Sequence, residues 1–308
     1  MADKGFKRTG SEAVKRVQAM LGSFDVSIEG VSEGGYSVDV LGQNASCVGV
    51  SLEDGCLTLT QKTLEAGSGR ISVRLKADSC ELIDIVSVSG DIKLKRTGAG
   101  EVTLNSTSGF ISANQVKAEG SFRAESASGG FDGSDISATD ICLNMRSNAI
   151  KLSGAEASNE ITVDSGSGDV SLSDVRALEL KLESASGSVK INSCEFKHSF
   201  FIRTYAGDAE VKLMSATGLI KSTSGNIRFA GGSRELIIES TSGSIRALGE
   251  FERVRISSVS GGIGITSKLP SAERISVRTV SGDIDVWCPE QALHRVFAQS
   301  LSGSVRKH

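Results

Sequence analysis

The carboxylates offer the first chemistry to test. Aspartate directly follows a glycine at Asp91, Asp169, Asp208 and Asp283. Two carboxyl groups within about 5 to 10 Å of each other can cleave a glycosidic bond, one as the acid and one as base or nucleophile. Asp169 and Asp208 come nearest to that separation; the others lie further away along the chain. The same position is held elsewhere by Phe110, Gly130, Ala149 and Ser188. A column so tolerant of non-acids fits aspartates that accept nearby backbone amides better than it fits a conserved reaction geometry within the chain.

Other reactive side chains are scattered. The three histidines, His198, His294 and His308, have no recurring neighbour that would make a metal site or a nucleophile–base pair. Gly166-Ser-Gly168 sets a serine between glycines, as a G-x-S-x-G nucleophile motif does only at wider spacing, and that motif implies a nucleophile only on a strand-to-helix elbow. The six cysteines, Cys47, Cys56, Cys80, Cys142, Cys194 and Cys288, form no CxxC pair and no zinc spacing, and read as free thiols. Neither a catalytic residue, a cofactor nor a metal is implied. Of the exposed aromatics that sugar binding recruits, Trp287 and Tyr205 point outward by parity but four coils apart, too far to form one platform.

The elements that carry these residues are set by a repeat. Val86-Ser-Val-Ser-Gly-Asp-Ile-Lys-Leu94 reads as a strand, a corner at Gly90 and a second strand. Near copies place corners at Gly109, Gly129, Asn148, Gly168, Gly187, Gly207, Gly225, Gly243, Gly261, Gly282 and Gly303, with a looser one at Gly69, at intervals of 18 to 21 residues. That period is half of a propeller blade, and the leucine and asparagine signature of leucine-rich repeats is missing, which leaves a β-solenoid. Ile83, Ile85, Ser87 and Ser89 share one parity before Gly90, and Ile92 and Leu94 point the same way after the corner, so this set points inward. Both serines are expected to line the interior beside the corner, with hydroxyls stacked along the axis. The glycines are expected to supply positive φ, which Asn148 can also adopt. Twelve to thirteen coils at about 4.8 Å would make one elongated domain of roughly 60 Å.

At the start of the chain, Thr9-Gly-Ser-Glu12 has capping-box spacing, and Val14, Val17 and Leu21 form an apolar stripe. This predicts a short amphipathic helix within residues 1–23 that caps the first coil. Residues 24–65 read as irregular opening strands, with a turn at Asp54-Gly55, and residues 66–308 as regular coils. The succession Phe24-Asp-Val-Ser-Ile28, Leu52-Glu-Asp-Gly-Cys-Leu57, Ile71-Ser-Val-Arg-Leu75 and Val86-Ser-Val-Ser-Gly-Asp-Ile92 resembles the bacterial β-strand-repeat putative adhesin family, a domain of unknown function, over roughly residues 24–308. The resemblance implies a right-handed, single-stranded parallel β-helix and no catalytic residues.

The sequence has 308 residues and a net charge of −3, against the basic face that nucleic acid requires. Residues 1–23 lack the apolar core of a secretory signal, and no run has the length of a membrane helix. For the chain as it stands this points to the cytoplasm, whereas a chain cut from a longer protein could belong at the cell surface. The residue between the two serines becomes Val259, Val280 and Leu301 toward the end of the chain, an outward apolar strip and the candidate contact face for a protein or glycan partner or a second copy. The last coil, ending Ser300-Leu-Ser-Gly-Ser-Val-Arg-Lys-His308, suggests self-association. Together these features describe a non-catalytic structural or interaction protein. A carbohydrate-active enzyme using Asp169 and Asp208 and an end-to-end polymerising scaffold are the alternatives.

Overall fold

The structure, a computed structural model, describes residues 5–32, 34–62, 67–77 and 80–308. Residues 1–4 of the expected cap, 33 and 63–65 of the opening strands, and 66 and 78–79 of the coil region lie outside the described residues. Strand makes up 71% and helix 3%, and the fold is a β-solenoid of about 12 turns. Contacts divide the chain into two compact units, residues 1–158 and 159–308.

In the first unit, nine strands build the opening: β1 (Phe6–Gly10), β2 (Arg16–Leu21), β3 (Phe24–Val31), β4 (Tyr36–Gly42), β5 (Val48–Glu53), β6 (Cys56–Gln61), β7 (Gly69–Lys76), β8 (Cys80–Ser87) and β9 (Ile92–Ser106). Where a helix was expected over residues 11–21, the chain forms β2. Val17, Ala19 and Leu21 are buried and Arg16, Gln18 and Met20 are exposed. The stripe Val14–Val17–Leu21 has helical spacing, but Val17–Ala19–Leu21 has strand spacing. Pairing decides between them: β2 lies parallel between β6 and β8, so its backbone groups are satisfied on both sides. A helix would leave both of those edges open.

The first coil is therefore β2 and β3, with β6–β7 on one side and β8–β9 on the other. Gly69 is not a corner; it opens β7 opposite Phe24. One-coil-per-repeat order begins at Cys80, later than residue 66. The cap is made of antiparallel strands: β4 covers β7, β1 covers β4, and β5 folds back on β6 through Asp54 and Gly55, both at positive φ. Antiparallel hairpins end a stack of parallel coils without leaving a long flat edge for another chain to pair with. Buried Gln61 ties the first bend, its Oε1 accepting the Gly22 and Ser23 amides at 2.8 and 3.1 Å. From β9 to Ala157 the strands stack parallel and in register, Ile92–Ile111–Phe131–Ile150 forming one inward column.

The second unit repeats the pattern with longer strands, including Ala209–Ser222, Ile227–Ser242 and Ile245–Ser260, each bending once between its two runs. Inward residues are apolar and buried: Ala209, Ile227, Ile245, Ile263 and Ile284 form one column and Ile202, Ile220, Ile238 and Ile256 another. Each isoleucine so buried contributes about 1.5–3 kcal/mol. Phe200, Phe229 and Phe251 fill the bend, with ring centroids 6.1 and 5.9 Å apart.

The two corner serines behave differently from one another, contrary to the expectation that both face inward. The first is buried and bonds to its own corner: Ser87 Oγ donates to Gly90 O at 2.9 Å and Ser240 Oγ to Ser242 O at 3.0 Å. The second faces outward and donates to the preceding coil, as Ser108 Oγ does to Val88 O at 3.1 Å and Ser224 Oγ to Tyr205 O at 3.2 Å. The corner starts one residue earlier than parity alone implies.

The glycines also divide. Gly187 and the later corners have positive φ, as expected. Gly90, Gly109, Gly129, Asn148 and Gly168 do not. At Gly109 the constraint is closeness instead, since an added Cβ would lie 2.1 Å from Gly90 O. Asn148 stands in by donating its Nδ2 to Ser128 O at 3.0 Å, not by adopting a left-handed backbone.

Two outcomes follow. At Gly243, φ is +108° and an added Cβ would lie 2.2 Å from Gly225 O. Gly243→Val should therefore cost about 3 kcal/mol or more in urea unfolding; an unchanged midpoint would refute the corner account. Ser184 Oγ bonds Ser186 O at 3.2 Å, whereas buried Thr204 Oγ1, at the equivalent place, has no partner among the described residues. Ser184→Ala should destabilise by about 1 kcal/mol while Thr204→Val is neutral or stabilising; effects of the same sign and size would refute this reading.

Candidate functional site

The four aspartates each accept the backbone amide of the next coil. Asp91 Oδ1 accepts Phe110 N at 2.9 Å, Asp169 Oδ1 accepts Ser188 N at 2.8 Å, Asp208 Oδ1 accepts Asn226 N at 2.8 Å, and Asp283 Oδ1 accepts Ser304 N at 2.8 Å. Asn226 continues the column, taking Ser244 N at 3.1 Å. The Ser188 amide and then its hydroxyl hold the Asp169 carboxyl below the usual carboxylate range, the opposite of what a general acid needs. Asp169 and Asp208 are separated by the Ser188 coil and are engaged with different amides. They tie coils together; the geometry does not converge them on a common point.

His198 is exposed, His294 accepts from Arg295 Nε at 3.1 Å, and His308 stacks on Trp287. Gly166-Ser-Gly168 is a coil corner leading into the strand Val170–Ser173, not an elbow into a helix. Among the described residues no group of three or more His, Cys, Asp or Glu could hold a metal ion. All six cysteines are unbridged, and burial pushes the Cys194 thiol up to about 11.

The second unit has three outer surfaces with distinct chemistry. At the glycine corner, Ser258, Thr279 and Ser300 are in register, which puts Val259, Val280 and Leu301 side by side on successive coils. They are 52%, 46% and 75% exposed.

Before the corner, Arg253, Arg255, Arg274 and Arg278 line a groove of about 420 Å³ with Ser257 and Ser276. Arg253 is shared by Glu235 and Glu273, both at 3.4 Å, and Arg274 lies over the Phe297 ring at 5.3 Å. No salt bridge reaches Arg255 or Arg278 among the described residues.

After the corner, two outward columns run side by side. The residues three past each corner are Lys190, Glu210, Arg228, Arg246, Gly264, Asp285 and Arg306, in unbroken register. The next outward column is Lys212, Ala230, Leu248, Thr266 and Trp287. Between them lies a groove of about 440 Å³ whose floor is Gly264. Glu210 is bonded to Lys212 at 2.7 Å, which with the nearby Lys190 and Arg228 charges holds its carboxyl below the usual range. Asp285 faces Arg306 at 3.8 Å. Arg228 and Arg246 have no salt bridge among the described residues. Outward Trp287 was legible in the sequence, and so were the corners from which this column is counted; Gly264, which opens the groove between the two columns, was not singled out. Continuing the offset from Arg246 by one more corner would have found it.

Comparison with known proteins follows the fold. No curated protein matches the sequence. The chain is similar to the solved structures of a putative adhesin from Parabacteroides merdae, at 14% identity and TM-score 0.27 over 98% of this chain and 96% of that one. It is similar also to a putative adhesin from Parabacteroides distasonis, at 14% identity and TM-score 0.32 over 99% and 97% of the two chains. A third, named a putative lipid binding protein from Parabacteroides distasonis, shares 11% identity at TM-score 0.25 over 99% and 97%. Those scores are too low to transfer a ligand. The family match is of a different order: it spans residues 25–173 and 155–269, most of the length over which the Ser-x-Ser-Gly repeat runs, and by it the chain belongs to the Toastrack DUF4097 family.

Proposed function

We propose that the protein is a non-catalytic interaction module of the adhesin type, in which the β-solenoid presents side-chain columns on a rigid frame for a partner to read. The observation that carries this is the strip Val259–Val280–Leu301. Three apolar side chains, each about half exposed or more, stand in register where earlier corners carry Thr223 and Thr241. Adjacent exposed apolar groups are disfavoured on a surface that only has to be soluble, and are the ordinary substance of an interface core. The four corner aspartates, in contrast, each accept a backbone amide of the next coil.

A protein surface is the partner this strip suits best. The three side chains are exposed on successive paired coils, so they can enter a shallow apolar recess without rearrangement of the strands behind them. Among the described residues no helix is long and apolar enough to cross a membrane.

Two measurements test this. Val280→Lys, which alters only an exposed side chain, should leave the melting temperature within about 2 °C and weaken partner capture or self-association at least tenfold; unchanged association would remove this face from consideration. Protease shaving of intact producing cells should remove the protein if the partner is extracellular, and full protection would overturn the adhesin assignment in favour of an internal partner.

A further inference from the structure

The groove floored by Gly264 contains a glycine that the fold does not require. Its backbone is outside the left-handed region, and an added Cβ would find its nearest neighbours at 3.9 Å, Arg246 Cγ, and 4.0 Å, Ile245 O. The corner glycines are the opposite case, each pressed against a carbonyl. A mid-strand glycine weakens a sheet and is otherwise kept where a ligand approaches the backbone closely. Here it sits on the outward face, at the centre of an opening about 440 Å³ in volume.

The walls say what could enter. Trp287 is 53% exposed, and its ring is stacked on His308 of the next coil, 3.9 Å between centroids and 13° between planes. Because His308 follows Trp287 along the column, the indole plane lies across the column, and its other face looks back toward Thr266 and the opening above Gly264. Leu248, 44% exposed, closes the far side two coils away, roughly 10 Å from Trp287. A single saturated six-membered ring fits that gap, its axial C–H bonds packed on the indole face and its edge on Leu248. On the flank are two guanidiniums one coil apart, Arg228 and Arg246, with no carboxylate paired to either by a salt bridge among the described residues. Glu210 is already taken by Lys212 and Asp285 by Arg306. An aromatic platform beside two guanidiniums that no carboxylate bridges among the described residues complements a ring that carries a carboxylate, for which arginine offers a planar two-point match.

We infer that the groove formed by Arg228, Arg246, Leu248, Gly264 and Trp287 binds one uronate residue of an acidic polysaccharide, the sugar ring on Trp287 and its carboxylate on Arg228 and Arg246. The inference goes beyond the contact strip at Val259, Val280 and Leu301: it assigns a separate groove on the same unit to a glycan, and stands or falls independently of a protein partner at the strip. The arginine groove on the other side of the corner is the weaker candidate, because Arg253 is shared by two glutamates and Arg274 is covered by Phe297.

The test is calorimetric titration of the full chain with oligogalacturonate and oligoguluronate, and with neutral malto-oligosaccharide as control. Binding to the uronates with Kd of about 10⁻⁴ M is expected, weakening as salt is raised. Trp287→Ala and Gly264→Leu should each weaken it at least tenfold with unchanged melting temperature, Gly264→Leu because it fills the opening without a clash. Arg246→Gln should lower uronate affinity and leave the salt dependence shallower. Absence of uronate binding, equal binding of the neutral sugar, or wild-type affinity in Trp287→Ala and Gly264→Leu would each overturn the inference. Tighter binding of sulfated oligosaccharide through the same residues would overturn the carboxylate assignment. Release of shortened products would instead overturn the non-catalytic reading, and is read separately by chromatography of the titrated sugar.

Discussion

From Gly187 onward, each coil meets the one before it at a corner where no side chain can be accommodated. At the glycine corner the chain turns directly against the carbonyl of the corner before it, so that an atom added at Gly243 would fall within 2.2 Å of Gly225 O. This contact lets the strands on both sides of the corner keep one register from coil to coil. The inward isoleucines, the second serine's bond to the preceding coil and the aspartate's bond to the following amide all presuppose that register. The first serine completes the corner from inside, small enough for the narrow interior and polar enough to satisfy a local group. Solenoid repeats draw stability from such neighbour contacts, so the corner is the element on which each added coil depends.

The opening of the solenoid solves a different problem. A parallel stack has exposed edges at its ends, and here the chain covers the first by laying β6 and β7 parallel along the β2–β3 coil and pairing β5 and β4 antiparallel with them. Order in space departs from order in sequence in this region. The result is a cap built of the same material as the coils, joined to them by backbone hydrogen bonds on every strand instead of by the side-chain packing of a helix.

With the interior devoted to packing and the corners to closure, the outward columns are left for recognition. Each is a straight array at the coil spacing, and its chemistry is set one residue per repeat. Some positions carry opposite charges on neighbouring coils and form exposed ion pairs such as Lys221–Glu239 at 3.0 Å, which contribute little to stability but keep the face hydrated. Against that background two departures stand out on the second unit: apolar residues at the corner, and a missing side chain at Gly264 between Arg246 and Asp285. A rigid sheet face makes such departures effective, because neither the loss nor the gain of a side chain is absorbed by movement of the backbone.

Much of this was determined by the sequence alone. Alternation with a period of two and corners every 18 to 21 residues are local properties, so the solenoid, the inward columns and the family resemblance could be read from Val86–Leu94 and its copies. What only the tertiary structure decided were matters of neighbour identity. Residues 16–21 satisfy both helix and strand periodicity, and became a strand because β6 and β8 pair with it on either side. The second serine follows inward parity, yet faces out because the corner bends before it. Asn148 holds a corner through its side chain, which its residue type left open. Gly264 looked like one glycine among 35, and its meaning came from what stands beside it on other coils, which the chain order does not reveal until the register is known.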